Sequence, residues 1–187
     1  KFAVADASVW QDPSFIPDLY VSRHGVMFFD DPVAAFANLA ASAAENAQMV
    51  FSCFRAPSEN AWATKIVALV PSAPSGDPHA PGPFAFADPD RVRGILSEAG
   101  WSDVAFEPVD FDYVAGSGDD PVADALDFFG HIGPAARAIR MLEGDARIAF
   151  LGRLRELAEA HLQDGAVRFA AAAWIVTAHK NTTRREI

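Results

Sequence analysis

Short apolar runs alternate with stretches of helical period along most of this chain, in the order strand, helix, strand. Leu19-Tyr20-Val21 consists of strand formers and is apolar on both faces, as a central parallel strand is. The run breaks at Ser22-Arg23-His24-Gly25, a crowded polar turn at the strand's carboxyl end. Asp31-Pro32 then offers a capping side chain followed by proline at the first helical position. From Pro32 towards Glu45, Val33, Phe36, Ala37 and Ala40 recur near helical spacing in an alanine-rich stretch. Met49 to Phe54 is a second buried strand. Strand, helix and strand at this spacing predict a βαβ unit with parallel strands and a right-handed crossover.

The flanking segments read in the same way. Phe2 to Ala5 is a short strand or the end of one, with Asp6-Ala7-Ser8 at its carboxyl end. Ala61 to Val70 is helical, with Trp62, Ile66 and Leu69 on one side. Pro71 to Pro83 holds five prolines and two glycines and reads as a surface loop. Asp88-Pro89 starts a helix whose Val92, Ile95, Leu96 and Ala99 point inward and which ends at Gly100. Val104 to Phe111 alternates as a half-buried strand does, and Pro108 argues for an edge position. Asp120-Pro121 opens a further helix, and helices over Pro134 to Leu142 and Asp145 to Gln163 follow. The last strand is Val167 to Ala178, and Lys180 to Ile187 is a frayed polar tail.

Composition narrows the classes. The 187 residues are 51% hydrophobic, enough for one substantial core. A net charge of −10 argues against nucleic acid or an anionic membrane surface as the main partner. The single cysteine, Cys53, excludes an internal disulfide, and mid-strand it reads as an inert buried thiol. A soluble protein in a reducing, cytoplasmic setting is expected. The first residue is Lys1 rather than Met, so a processed chain or a piece of a longer one is expected.

In open α/β sheets, ligands sit beyond the carboxyl ends of the strands, which selects Ser22 to Gly25 and Asp6-Ala7-Ser8. His24 is the residue there whose ordinary pKa lies closest to neutrality. Each also has a purely structural reading. Asp6 fits a turn residue, Ser22 and Arg23 fit a solvated sheet edge, and His161 fits a packed core or rim histidine. No His, Cys, Asp or Glu spacing repeats as a metal site would.

The joint order of Asp6-Ala7, Asp18-Leu19-Tyr20-Val21-Ser22-Arg23, Gly25-Val26-Met27-Phe28-Phe29 and Asp31-Pro32 resembles the class I S-adenosylmethionine-dependent methyltransferases, in their small-molecule branch. Phe84 to Pro89, the helix ending Ala99-Gly100-Trp101, and Ala173 to Ala178 extend the resemblance over nearly the whole chain. It implies an α/β, Rossmann-like methyltransferase sheet whose N-terminal strands are missing. A helical insertion at 120–163 before the antiparallel last strand would be the substrate cover, within one partial domain over 1–187. The family's glycine-rich loop has no counterpart ahead of Asp6, and Gly116-Ser117-Gly118 lies in the wrong place for it.

The implied cofactor is S-adenosyl-L-methionine. Asp6 would accept from the adenine amine, the Ala7 amide would meet an adenine ring nitrogen, and Ser22 and Arg23 would line the methionine side. His24, Phe29 and Trp62 would face a small-molecule acceptor, with His24 as the general base if the acceptor must lose a proton. No metal is implied. A second reading has the chain as a catalytically incomplete fragment or interaction module, homodimerising through an open sheet edge at Leu19 or Phe2. A dehydrogenase-like nucleotide enzyme is a third, without a dinucleotide fingerprint to support it.

Overall fold

A computed structural model describes residues 3–70 and 77–181. The elements in order are β1 (Leu19–Arg23), α1 (Pro32–Ser42), β2 (Gln48–Phe54), α2 (Ala61–Leu69), α3 (Pro89–Glu98) and β3 (Trp101–Gly116). They continue with α4 (Pro121–His131), α5 (Gly133–Met141), α6 (Gly144–Ala160), β4 (Leu162–Gln163) and β5 (Ala166–Lys180). Three Asp-Pro pairs start helices as their chemistry dictates. Asp31, Asp88 and Asp120 each accept a backbone N–H of the first turn, at 2.9 to 3.0 Å.

The strands form one mixed sheet in the order β1-β2-β5-β3, with β4 paired to β5. β1 and β2 are parallel, as the βαβ reading requires, and β5 runs antiparallel to β2. β3 lies at an edge, where Pro108 needs no ladder donor.

The chain divides into two compact units. The first comprises Lys1–Ala56, Asp77–Val109 and Ala173–Ile187; the second comprises Pro57–Gly76 and Asp110–Ala172. In the first, Phe36, Phe51 and Phe86 form a fully buried aromatic cluster with centroids 5.8 to 6.2 Å apart. Trp101 is buried beside them and its indole donates to the Phe36 carbonyl. The inward residues expected of α3, Val92, Ile95, Leu96 and Ala99, are all buried. In the second unit, Phe129, Phe150, Leu154 and Phe169 are buried, with Phe129 and Phe169 edge to face. His161 stacks on Phe169 at 4.3 Å, the packed role expected for it.

Four expectations change. Residues 3–6 form no strand, because Asp6 closes a local turn instead; Phe2 lies outside the described residues. β1 is not a central strand buried on both faces. It is an edge strand, with Leu19 51% and Val21 73% exposed. The long helix ends at Ala160, and Leu162–Gln163 pairs instead with Ala166 and Val167 across the Asp164-Gly165 turn. β5 runs on to Lys180, whose amide bonds the Ala47 carbonyl, so the tail begins later than its polarity suggested. Residues 71–76 of the proline-rich loop and 182–187 of the tail are outside the described residues.

Gly116 is glycine for a steric reason. A side chain there would collide with the Pro121 carbonyl and the Ala125 amide at the start of α4. The Ser117 amide is in turn bonded by the Asp124 carboxylate.

Candidate functional site

The parallel pair β1 and β2 ends in a polar corner within the first unit. Arg23 is in register with Ser52, and the His24 amide donates to the Ser52 carbonyl, carrying the ladder one residue past β1. That bond holds His24 at φ +51°, in the left-handed region that histidine enters more readily than bulky residues do. Gly25 follows because the chain folds back over Ser22; a β-carbon there would sit 3.1 Å from the Ser22 hydroxyl.

The His24 imidazole lies flat on Phe54, with ring centroids 4.3 Å apart and planes 15° apart. Phe54 in turn packs against Phe84 at 5.9 Å. His24 Nδ1 and the Ser52 hydroxyl are buried, and among the described residues neither has a hydrogen-bond partner. Burial, and then the positive field of Arg23, hold the His24 pKa below the ordinary histidine value. Both effects favour the neutral ring. Arg55 places its guanidinium 5.0 Å from the centre of the Trp174 ring.

Asp6 sits in a second, separate feature of the same unit. Its Oδ1 accepts from the Ser8 amide at 2.9 Å and the Ser8 hydroxyl at 2.7 Å, which lowers its pKa. Among the described residues Oδ2 and the Ala7 amide have no hydrogen-bond partner. The turn is held on α1 by Asn38, whose amide donates to the Ala7 and Trp10 carbonyls while accepting from Gln11.

The sequence-derived residues are thus partly gathered. Ser22, Arg23 and His24 share the end of β1, and no hydrogen bond or ring contact joins them to Asp6 and Ala7. Phe29 is half-buried and packs edge to face on Phe36, so it helps to seat α1. Trp62 belongs to the second unit. There it is buried, stacked on Tyr113 at 5.1 Å and bonded to Asn60, a packing role rather than a face presented to a ligand. Cys53 is fully buried, its thiol is pushed up to about 12, and it donates to the Phe86 carbonyl.

Sequence reasoning missed Asn38, Ser52 and Phe54. Asn38 carried a signal, as a lone amide in an alanine-rich helix; Phe54 carried none, being one more large apolar residue in a strand. Among the described residues no cluster of metal-ligating side chains occurs, and no helix is long and apolar enough to cross a membrane.

No protein-family model matches the sequence, and no curated protein matches it. Among solved structures it is similar to a candidate methyltransferase from Bacillus halodurans C-125, at TM-score 0.53 and 14% identity, over 97% of this chain and 78% of that one. It is also similar to the YcgJ protein of Bacillus subtilis, at TM-score 0.48 and 12% identity, over 96% of this chain and 70% of that one. A third likeness is to phosphoethanolamine N-methyltransferase 2 of Haemonchus contortus, solved with S-adenosyl-L-methionine. There the TM-score is 0.43 and the identity 10%, over 95% of this chain and 36% of that one. The last two stand too low to bear weight, and the first speaks for the fold alone. The chain shares the Rossmann-like α/β fold of the Bacillus halodurans candidate methyltransferase.

Proposed function

We propose that this chain takes part in methyl transfer from S-adenosyl-L-methionine to a small-molecule acceptor. The observation that carries the reading is the turn at Asp6-Ala7. Among the described residues it leaves one carboxylate oxygen and one backbone amide without partners, side by side in sequence, in a fold of methyltransferase type. An acceptor next to a donor is what the adenine edge needs, so these two groups fit that end of the cofactor. Ser22 and Arg23, at the end of β1, are assigned to its methionine end. When bound, the cofactor supplies a methyl group already activated by the sulfonium, which leaves the protein to orient the partners and exclude water. His24 is assigned to the acceptor. A reducing, cytoplasmic setting suits the buried free thiol of Cys53.

The test is titration calorimetry of the full chain with S-adenosylhomocysteine. Binding is expected, weakened about tenfold by Asp6→Ala, the loss of one charge-assisted hydrogen bond. No heat at millimolar ligand would sink the reading.

A second reading has its own observation. β1 forms an edge of the sheet and exposes Leu19 and Val21. An apolar edge of this kind invites another strand, so we propose self-association through β1 as the alternative role. Light scattering decides it, since a monomer at high concentration would rule the pairing out.

A further inference from the structure

The corner at the end of β1 and β2 contains one group whose protonation state the geometry constrains. His24 is half-exposed, yet Nδ1 is buried with no partner, and its side chain makes no hydrogen bond among the described residues. The nitrogen open to solvent is therefore Nε2. A neutral imidazole carries one proton, and the two placements differ in cost. On Nδ1 the proton would be a buried donor with no acceptor, while the bare Nε2 faced solvent. On Nε2 the donor stays accessible, and only a lone pair is stranded. Buried orphan donors are the rarer case in proteins, so the proton belongs on Nε2. The doubly protonated ring would strand the donor and a charge together.

Arg23 is the charged group whose field reaches the ring, and it forms no ion pair among the described residues. The accessible chemistry of the corner is then one neutral N–H donor and one guanidinium, with the buried ring of Phe54 backing the imidazole. We infer that His24 is a neutral hydrogen-bond donor through Nε2, which with Arg23 receives the anionic oxygen of a carboxylate, and that it is not a proton-abstracting base. This deepens the proposed function by giving the class of the acceptor, and rests on it only for the word acceptor.

The experiment uses the full chain labelled with 15N-histidine, with the His24 signals identified by their loss in His24→Gln. Long-range 15N–1H spectra read the tautomer, and a pH series reads the charge. Benzoate and benzylamine, at equal ionic strength, are the two probes. The Nε2–H tautomer is expected, uncharged at pH 7, with shifts at Nε2 on adding benzoate and none on adding benzylamine. Benzoate affinity, followed on other backbone amides, should fall about tenfold or more in His24→Phe and stay within about threefold in His24→Gln, which keeps a donor. Both variants are checked by circular dichroism, and the wild-type spectra stand even if one fails to fold. An Nδ1–H tautomer, an imidazolium at pH 7, or an equal response to benzylamine overturns the inference. S-adenosylhomocysteine is titrated separately, so its failure to bind would remove the methyltransferase reading and leave the benzoate result standing.

Discussion

Asn60 is the one polar residue that the second unit buries completely among the described residues, with 0% of its surface exposed. Its side chain acts as a short piece of strand. Nδ2 donates to the Ala172 carbonyl at 3.2 Å, and Oδ1 accepts from the Ala172 amide at 3.1 Å and the Trp62 indole at 3.3 Å. Asn60→Ala removes these three bonds at once and deprives two donors and one acceptor of them in the interior. Each stranded group costs about 1–3 kcal/mol, and sharing among neighbours makes the sum sub-additive, so about 3–5 kcal/mol is expected. For a chain of this size that lowers the melting temperature by about 6–20 °C. Urea denaturation followed by tryptophan fluorescence measures it. Asn60→Asp sharpens the test. The introduced carboxyl keeps the acceptor but buries a charge, so its folded pKa lies above its unfolded value. The penalty is then smallest below the unfolded pKa and grows as pH rises through the folded one, where protonation no longer supplies the lost donor. A loss below about 1 kcal/mol for Asn60→Ala, or a pH-independent deficit for Asn60→Asp, would refute this account.

Three further outcomes are expected. Asp31→Ala and Asp120→Ala should each cost about 1 kcal/mol in urea denaturation, as the loss of a helix cap does. Cys53, with its thiol at about 12, holds only about one thiolate in ten thousand at pH 8; iodoacetamide followed by mass spectrometry should label it only after unfolding. Leu19→Lys with Val21→Lys should leave the melting temperature within about 2 °C, because both side chains are exposed, while abolishing any self-association seen by light scattering.

Local chemistry made much of this legible in the sequence. The three Asp-Pro caps, the inward face of α3 and the parallel β1–β2 pair each follow from local spacing along the chain. What escaped reading depends on partners distant in sequence. The triplet Leu19-Tyr20-Val21 has the composition of a buried strand, and only the sheet order reveals that, among the described residues, no strand pairs with its outer edge. Asn60 owes its buried place to Ala172, 112 positions away, which completes its bonds. His24 was legible as a polar residue at a strand end, but its tautomer depends on Phe54 and on the burial of one ring nitrogen. Trp62 misled because an indole reads the same whether it faces a ligand or Tyr113.

The exposure of β1 bears directly on the corner at its end. Register and side-chain alternation place Leu19, Val21 and Arg23 on one face of the pair with Gln48, Val50 and Ser52, while Tyr20 lies on the other with Met49, Phe51 and Cys53. The second set on β2 is fully buried and the first is open or half-open. Parallel strands are ordinarily covered on both faces, so β1 is held by one ladder and one packed face where such strands usually have two of each. The orientation of Ser22, Arg23 and His24 then rests on five register pairs and the single His24–Ser52 bond beyond them. Whatever covers the open face or pairs with the open edge of β1 also steadies the residues that would meet a ligand. By linkage, a ligand bound at that corner must favour the covered state by the same factor that covering favours the ligand. The binding reading and the association reading are therefore not independent rivals: measuring ligand affinity as a function of protein concentration tests both. A rise in affinity with concentration ties the corner to the edge, and a constant affinity shows that one ladder is enough to hold it.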